Sequence, residues 1–457
     1  MILKTILVLL TLVSVNCYAQ FGPQQIITTD APLASAVFAA DIDGDNDMDI
    51  LSAARSITGN NIAWYENLDG LGDFSDLILI DDSLTEAYSI FAADLDGDDD
   101  MDVLSVSANL DLVVWYENLD GQGNFGGRQI ISSNAVGASS AIAVDIDNDG
   151  DMDIISASDF SGLAWYENTD GQGTFSAEIT ISNTVNNNRS VFAGDLDGDD
   201  DLDLVINASG ADRLLWFENL DGLGNFGPAI AIAPTTLYPN TVFCVDVDMD
   251  TDLDILTVIP ASNIVAWHEN LDGLGNFGTE QIISTAPDAP WSAYGVDLDD
   301  DNDIDVLSAS AGDNRIAWYE NLDGQGTFGP IQDISTNAVS ARSVIASDID
   351  NDGDMDVLSA SQNDDKIAWY ENLTIFGLED HIDSNLVIYP NPSSDLIYID
   401  SKIDVITRIE IYNLLGEKLR YATNNVEQID IADFQAGIYI LKVHAENSMT
   451  TKKIIKK

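Results

Sequence analysis

The feature that most restricts how this chain can fold is a unit that recurs seven times at spacings of 50 to 53 residues. Every copy carries Asp-x-Asp-x-Asp-x-Asp-x-Asp, beginning at Asp41, Asp94, Asp145, Asp195, Asp246, Asp297 and Asp348. In the first copy an apolar segment, Ala36 to Ala40, precedes the acidic run, and a β-like segment, Met48-Asp49-Ile50-Leu51-Ser52-Ala53, overlaps its end and continues beyond it. A tryptophan segment, Ile62-Ala63-Trp64-Tyr65-Glu66-Asn67, comes next, then a glycine turn, Leu68-Asp69-Gly70-Leu71-Gly72, and a stretch opening on Phe74. Short β-forming stretches divided by turn residues predict four strands per unit. Such a unit cannot bury its apolar face alone, so its neighbours must cover it.

The ends of the repeat region say how the units are arranged. The seventh unit stops at Trp369-Tyr370-Glu371-Asn372-Leu373, without a glycine turn or Phe strand, while Phe21-Gly22-Pro23-Gln24-Gln25-Ile26-Ile27 at the other end supplies that piece. Joining the two closes a ring and removes the bare strand edges of an open array. A linear solenoid would want atypical capping repeats, which the sequence does not contain. The predicted fold is all-β: a seven-bladed β-propeller over 20–377, a linker over 378–385 and a small β-sandwich over 386–457. The repeated Trp64, Trp115, Trp165, Trp216, Trp267, Trp318 and Trp369 occupy one register in every unit, which favours packing between blades over sugar stacking.

The chain has 79 acidic and 17 basic residues and a formal charge of -62, with 67 acidic against 7 basic residues between 20 and 377. Eight Trp and 45% hydrophobic residues nonetheless mark a folded protein. Nucleic acid is excluded as a partner, because the counterion term opposes association with so acidic a surface. Two unpaired carboxylates 4 Å apart repel by about 4 kcal/mol at an effective dielectric of 20, so inward-facing carboxylates at alternate positions demand a cation. Calcium, which takes six to eight hard oxygens, suits them.

The acidic runs resemble the calcium loops of FG-GAP and VCBS repeats over nearly all of 21–373. Five units open their Phe strand with Phe-Gly (Phe21, Phe125, Phe226, Phe277, Phe328), Phe74 and Phe175 are followed by Ser, and the Gly-Ala-Pro of integrin repeats is absent, so the VCBS form is closer. The resemblance implies up to seven structural calcium ions, bound by side chains at loop positions 1, 3, 5 and 9 and the carbonyl of position 7. In order of position, the residues are Asp41, Asp43, Asp45, Asp47 and Asp49; Asp94, Asp96, Asp98, Asp100 and Asp102; and Asp145, Asp147, Asp149, Asp151 and Asp153. The fourth and fifth loops supply Asp195, Asp197, Asp199, Asp201 and Asp203, then Asp246, Asp248, Asp250, Asp252 and Asp254. The last two supply Asp297, Asp299, Asp301, Asp303 and Asp305, then Asp348, Asp350, Asp352, Asp354 and Asp356. The fifth loop is the odd one, with Met249 and Thr251 where the others carry Gly, Asn or Asp, residues that tolerate positive φ.

A propeller places the calcium loops on one rim and the blade-to-blade and second-to-third-strand turns on the other. Six of the seven basic residues of 20–377 (Arg55, Arg189, Arg213, Arg315, Arg342 and Lys366, but not Arg128) fall in or beside the latter turns. The position six residues before each acidic run reads Ser35, Tyr88, Ser139, Arg189, Asn240, Trp291 and Arg342, a variable site in a regular repeat. Tyr88, Arg189, Trp291, Arg342, Arg213 and Arg315 are therefore candidate ligand residues: a guanidinium fork suits carboxylate or sulfate, and an aromatic ring suits a sugar face. The alternative is that the arginines pair with neighbours such as Asp212, Asp313 and Asp364.

The tail from Leu386 contains Ile388-Tyr389-Pro390-Asn391-Pro392, Arg408-Ile409-Glu410-Ile411-Tyr412-Asn413-Leu414-Leu415-Gly416-Glu417, Gly437-Ile438-Tyr439-Ile440-Leu441-Lys442-Val443 and Lys452-Lys453-Ile454-Ile455. In that order these motifs resemble the type A C-terminal sorting domain of the Bacteroidetes type IX secretion system, which implies that machinery as a partner and a secreted or surface-attached location. Met1 to Ala19, with Lys4, the apolar Ile6 to Val15 and Cys17-Tyr18-Ala19, reads as a signal peptide. Its removal leaves Cys244 alone, so no intramolecular disulfide forms, and no other stretch reaches the roughly 20 apolar residues of a membrane span.

The expected function is a non-catalytic binding or adhesion module, with an anionic polysaccharide as the expected ligand. The two alternatives are a polysaccharide lyase or glycoside hydrolase built on the propeller, and a structural surface-layer component. The sequence offers no nucleophile-base constellation, since His381 and His444 lie outside the propeller and His268 replaces a repeated Tyr. Carboxylate pairs are too numerous for sequence to choose among them.

Overall fold

The structure, a computed structural model, describes residues 21–373 except 212 and 234–237, and most of 386–457. The signal peptide at 1–19, the linker at 378–385, Asp212 and the Pro390-Asn391-Pro392 turn fall outside the described residues. The chain divides into two compact units between Thr374 and Ile375, each described by itself.

In the first unit β1 (Gln25–Thr28) is followed by β2 (Ala34–Ala40), β3 (Asp49–Ala54), β4 (Ile62–Tyr65) and β5 (Ile78–Asp81), and β2 to β5 form one antiparallel sheet. The same four-stranded sheet recurs in the next five repeats. In the seventh, β1 supplies the outer strand, with Gln25 opposite Trp369, and Phe21 bridges Asn372 as Phe74 bridges Asn67 in the first. Seven sheets therefore carry the seven repeats, and the innermost strand of the last, Ala341–Ser347, packs against β2 to close the ring.

Strand position within the blade dictates burial. All six residues of β3 and all four of β4 are buried, because blades cover both of their faces, and these strands read as near-continuous apolar runs. The outer β5 is only partly covered. The seven repeated Trp are 1–6% exposed. Six of them lie under the glycine turn of the following blade, where a Cβ on the second turn glycine would overlap the indole: Gly123 over Trp64, Gly173 over Trp115, and, across the closure, Gly72 over Trp369. The tryptophans are packing residues.

A second interlock was not read from the sequence. The Asn ending each Trp strand donates its Nδ2–H to a loop carbonyl of the preceding blade: Asn118 to Ile42 (2.9 Å), Asn168 to Leu95 (3.0 Å), Asn219 to Ile146 (3.0 Å) and, across the closure, Asn67 to Ile349 (2.8 Å). Replacing Asn118 with Ala strands a buried carbonyl, and Asn118→Ala is expected to lower stability by about 1–3 kcal/mol in urea unfolding.

The second unit is a small sandwich. One sheet has three strands (Leu386–Tyr389, Leu396–Ser401, Gln428–Asp430) and the other four (Lys418–Thr423, Ile406–Tyr412, Gly437–Ala445, Met449–Lys456). Ile397, Ile399 and Ile429 of the first meet Ile409, Ile411 and Leu441 of the second in one core. No helix among the described residues is long and apolar enough to cross a membrane.

Candidate functional site

The seven acidic loops connect the first and second strands of each blade and share one geometry. Positions 4 and 6 are left-handed in all of them, as in Gly44 (φ 77°) and Asn46 (φ 73°). That turn lets Asp41 at position 1 accept backbone N–H bonds from Gly44 (2.8 Å), Asp45 (3.1 Å) and Asn46 (3.0 Å). Asp49 at position 9 accepts from Ile42 (3.0 Å) and Asn67 (2.8 Å), so the interlocking Asn also holds the loop's last carboxylate. Carboxylate oxygens of Asp41, Asp43 and Asp45 lie within 4.8 Å of one another, as do those of Asp145, Asp147 and Asp149, and of Asp94, Asp96 and Asp102.

Position 3 is where the chemistry is unfinished. Among the described residues, Asp43, Asp96, Asp147, Asp197, Asp248 and Asp299 each bury one carboxylate oxygen with no hydrogen-bond donor. A buried carboxylate oxygen without a partner is expensive. Desolvation, with repulsion from the position 5 carboxylate and a Glu, pushes Asp96, Asp197 and Asp248 up to about 6 and Asp299 up to about 7. The Glu is Glu117, Glu218, Glu269 and Glu320 respectively, and Glu66 stands equivalently beside Asp43. The sequence reading missed this extra carboxylate, although Glu follows the aromatic residue of every Trp strand. In six loops the side chain of position 7 abuts its own blade's glycine turn, as Asp100 does Gly121 and Asp151 does Gly171, whereas Asp354 of the seventh buries both oxygens without a partner. This hard-oxygen set, with orphaned buried oxygens at its centre, fits a divalent cation.

The fifth loop keeps the shared shape with unsuited residues, Met249 at φ 61° and Thr251 at φ 81°. A β-branched residue there is strained by about 1–2 kcal/mol. Thr251→Asn is expected to raise the melting temperature, and an unchanged or lower value counts against strain at this loop.

At the opposite rim, the blade-to-blade and second-to-third-strand turns are hydrogen-bonded to each other, as where Arg55 N–H donates to Leu33 (3.1 Å). There all seven variable residues, Ser35, Tyr88, Ser139, Arg189, Asn240, Trp291 and Arg342, converge on one cavity of about 160 Å³. Arg55 joins them from the turn after β3, together with a deeper layer that includes Ser89, Ser140, Thr241, Ser292 and Ser343. Arg342 sits 3.8 Å from the centre of the Trp291 ring and Arg189 5.7 Å from it, while Arg55 lies 4.2 Å over Tyr88. Asn240 fixes the Trp291 carbonyl (2.7 Å), and Asn207 Oδ1 accepts from the backbone of Arg189 (2.9 Å) and Ser190 (2.7 Å).

Arg213 and Arg315, expected with the ligand residues, are not part of this lining. They open third strands, Arg213–Phe217 and Arg315–Tyr319, two strands out from the axis, and Arg315 pairs with Asp313 and Asp333 (both 3.2 Å). Lys366 pairs with Asp364 at 2.8 Å. His268 is fully buried at the Tyr position of its blade, and burial pushes it down to about 4, so it is a neutral core residue.

The FG-GAP-like repeat family matches residues 41–105, 102–156, 145–206 and 297–359, just over half of the chain. The chain is an FG-GAP repeat protein. Residues 387–457 of this FG-GAP protein match the secretion system C-terminal sorting domain, the type IX tail that the ordered motifs predict, which makes the protein secreted or borne on the cell surface. Neither family is a catalytic one. No curated protein is similar enough in sequence to count as a relative. Among solved structures, the FG-GAP protein is similar to BBS1N in complex with ARL6DN soaked with mercury (8% identity, TM-score 0.53, covering 78% of this chain and 97% of that one). The lead-soaked form of the same complex gives 8% identity and a TM-score of 0.52 over 78% and 96%. At that identity the likeness concerns the fold alone.

Proposed function

We propose that this FG-GAP protein is a calcium-stabilised, non-catalytic capture module that binds an anionic polysaccharide at the mouth of its propeller. The observation that carries this reading is the convergence of the seven variable residues, Arg189 and Arg342 among them, together with Arg55, on one cavity of a body that is otherwise strongly acidic. A recognition surface needs variation on a constant scaffold, and arginine is the side chain best shaped for carboxylate and sulfate.

In this reading each acidic loop holds one calcium through the carboxylates of positions 1, 3, 5 and 9 and the carbonyl of position 7, with the neighbouring Glu adding negative charge. The ion supplies structure: it neutralises carboxylates that otherwise repel, and so fixes the loops that the interlocking Asn residues grip. The sorting domain is the part that engages the type IX machinery.

The test is binding of the purified protein to neutral and anionic glycans in millimolar calcium, beside the Arg189→Ala/Trp291→Ala/Arg342→Ala variant. Acidic glycans are expected to bind and the variant to lose at least tenfold in affinity. Equal binding by the variant, or binding to neutral glycans only, overturns the reading.

A further inference from the structure

The sequence suggests that Trp291 and Tyr88 offer open faces to a sugar ring, but the structure seats guanidinium groups on them. Arg342 covers the Trp291 ring at 3.8 Å with Arg189 at 5.7 Å, and Arg55 covers Tyr88 at 4.2 Å. Aromatic rings used in this way hold cations in place without neutralising them. Among the described residues none of the three arginines forms an ion pair, whereas Arg128, Arg315 and Lys366 of the same unit all do.

Neutral and polar groups support the three arginines where carboxylates would otherwise be expected. Arg342 donates Nε–H to Gln362 Oε1 (2.5 Å). Its Nη1, and Nε of Arg55, are buried without a partner among the described residues. The carboxyl that faces Arg189 is Asp159, which is itself raised by burial and bonds none of the three. Burial, helped by the nearby charges of Arg55 and Arg189, pushes Arg342 down to about 10. The cavity is about 160 Å³, below the usual range of roughly 300–1,000 Å³ for pockets that enclose a drug-sized ligand. It has room for one compact group and not for a threaded chain.

We infer that this mouth is a three-arginine cradle for a single tetrahedral oxyanion, a sulfate or phosphate monoester at the end of a glycan, and that the glycan enters end-on. Three free oxygens on one centre give each guanidinium its own acceptor oxygen, while a planar carboxylate has only two oxygens to share among the three. The inference deepens the anionic-glycan reading above and rests on it.

The experiment is calorimetric titration of the full protein with four monosaccharides: a 6-sulfate, a 6-phosphate, a uronate and the neutral sugar. The same titrations are run on Arg342→Lys and Arg189→Ala, with melting temperature as the check on folding. The sulfate and phosphate esters are expected to bind at least tenfold tighter than the uronate and the neutral sugar. The dianionic phosphate should bind more tightly than the sulfate, and both variants should lose at least tenfold. Arg342→Lys keeps the charge, so its loss reads the fork geometry. A uronate that binds as well as the esters overturns the tetrahedral cradle and leaves the anionic pocket standing. Ester binding that both variants retain places the site elsewhere and overturns the cradle too. If no charged sugar binds to a protein that melts normally, the cradle and the anionic-glycan reading fall together.

Discussion

Chelation of calcium is expected to lower the melting temperature of this protein by roughly 10–20 °C, the largest effect that any single change should produce. The size follows from linkage. A loop whose free calcium exceeds its dissociation constant tenfold gains about 1.4 kcal/mol, and extracellular sites of this type bind at about 10⁻⁴–10⁻³ M. Seven loops that bind as proposed are therefore expected to contribute on the order of 10 kcal/mol in millimolar to ten-millimolar calcium. The buried, partnerless oxygens at position 3 make the metal-free loops poor, which pushes in the same direction.

Acid separates this explanation from simple salt sensitivity. Burial raises the position 9 carboxyls, Asp49, Asp102, Asp153, Asp203, Asp254 and Asp356, to about 7, and Asp305 to about 8, from a usual 3.8. A carboxyl raised in the fold binds its proton more tightly there than in the unfolded chain. It contributes stability in full below 3.8 and loses it as pH climbs through 7 to 8. In chelator the protein is thus expected to melt higher at pH 5 than at pH 8. With calcium bound the order reverses, since protons then compete with the ion. The same slope in both conditions, or a melt indifferent to chelator, would remove calcium from the account.

The second large effect lies at the seam of the ring. Neighbouring blades are tied elsewhere by the covalent chain, but the first and last are joined through β1, the Asn67–Ile349 bond, the packing of β2 on Ala341–Ser347 and a shared apolar core in which the Trp369 ring lies beneath Gly72. Trp369→Ala is expected to cost about 3–5 kcal/mol as a cavity. Gly72→Ala is expected to cost a similar amount, because its Cβ overlaps the indole and its φ of 84° disfavours any side chain. The double variant distinguishes contact from coincidence. With the indole gone the new methyl fits, so the pair should destabilise by clearly less than the sum of the singles in urea unfolding. Strict additivity would mean that the two positions do not touch.

Much of this was legible in the sequence, and what was hidden shares one cause. The acidic runs, the Trp register and the missing seventh strand declared themselves because a repeat exposes any feature fixed by position within its own unit. Asn67 and Glu66 belong to the same repeat, yet their roles depend on the fold: Asn67 reaches a carbonyl 282 residues away and Glu66 comes to lie beside a loop two strands back. Arg55 is a single substitution in one turn, and nothing local marks it as a neighbour of Tyr88. Arg213 and Arg315 were placed on the correct rim, but strand order set their distance from the axis, and one-dimensional spacing does not contain it.

The Asn interlock joins the loops into a circle. Asn118 holds Asp102 of its own loop through its backbone and the second residue of the preceding loop through its side chain, and Asn67 repeats the linkage across the closure. In the proposed reading, an ion that orders one loop lowers the ordering entropy left for the loops on either side. Uptake should rise more steeply than seven independent sites allow, with a Hill coefficient above one that relaxes toward unity when a single Asn is removed. A circle has no end from which such a spread could start or fray, so calcium should enter and leave the whole ring nearly together.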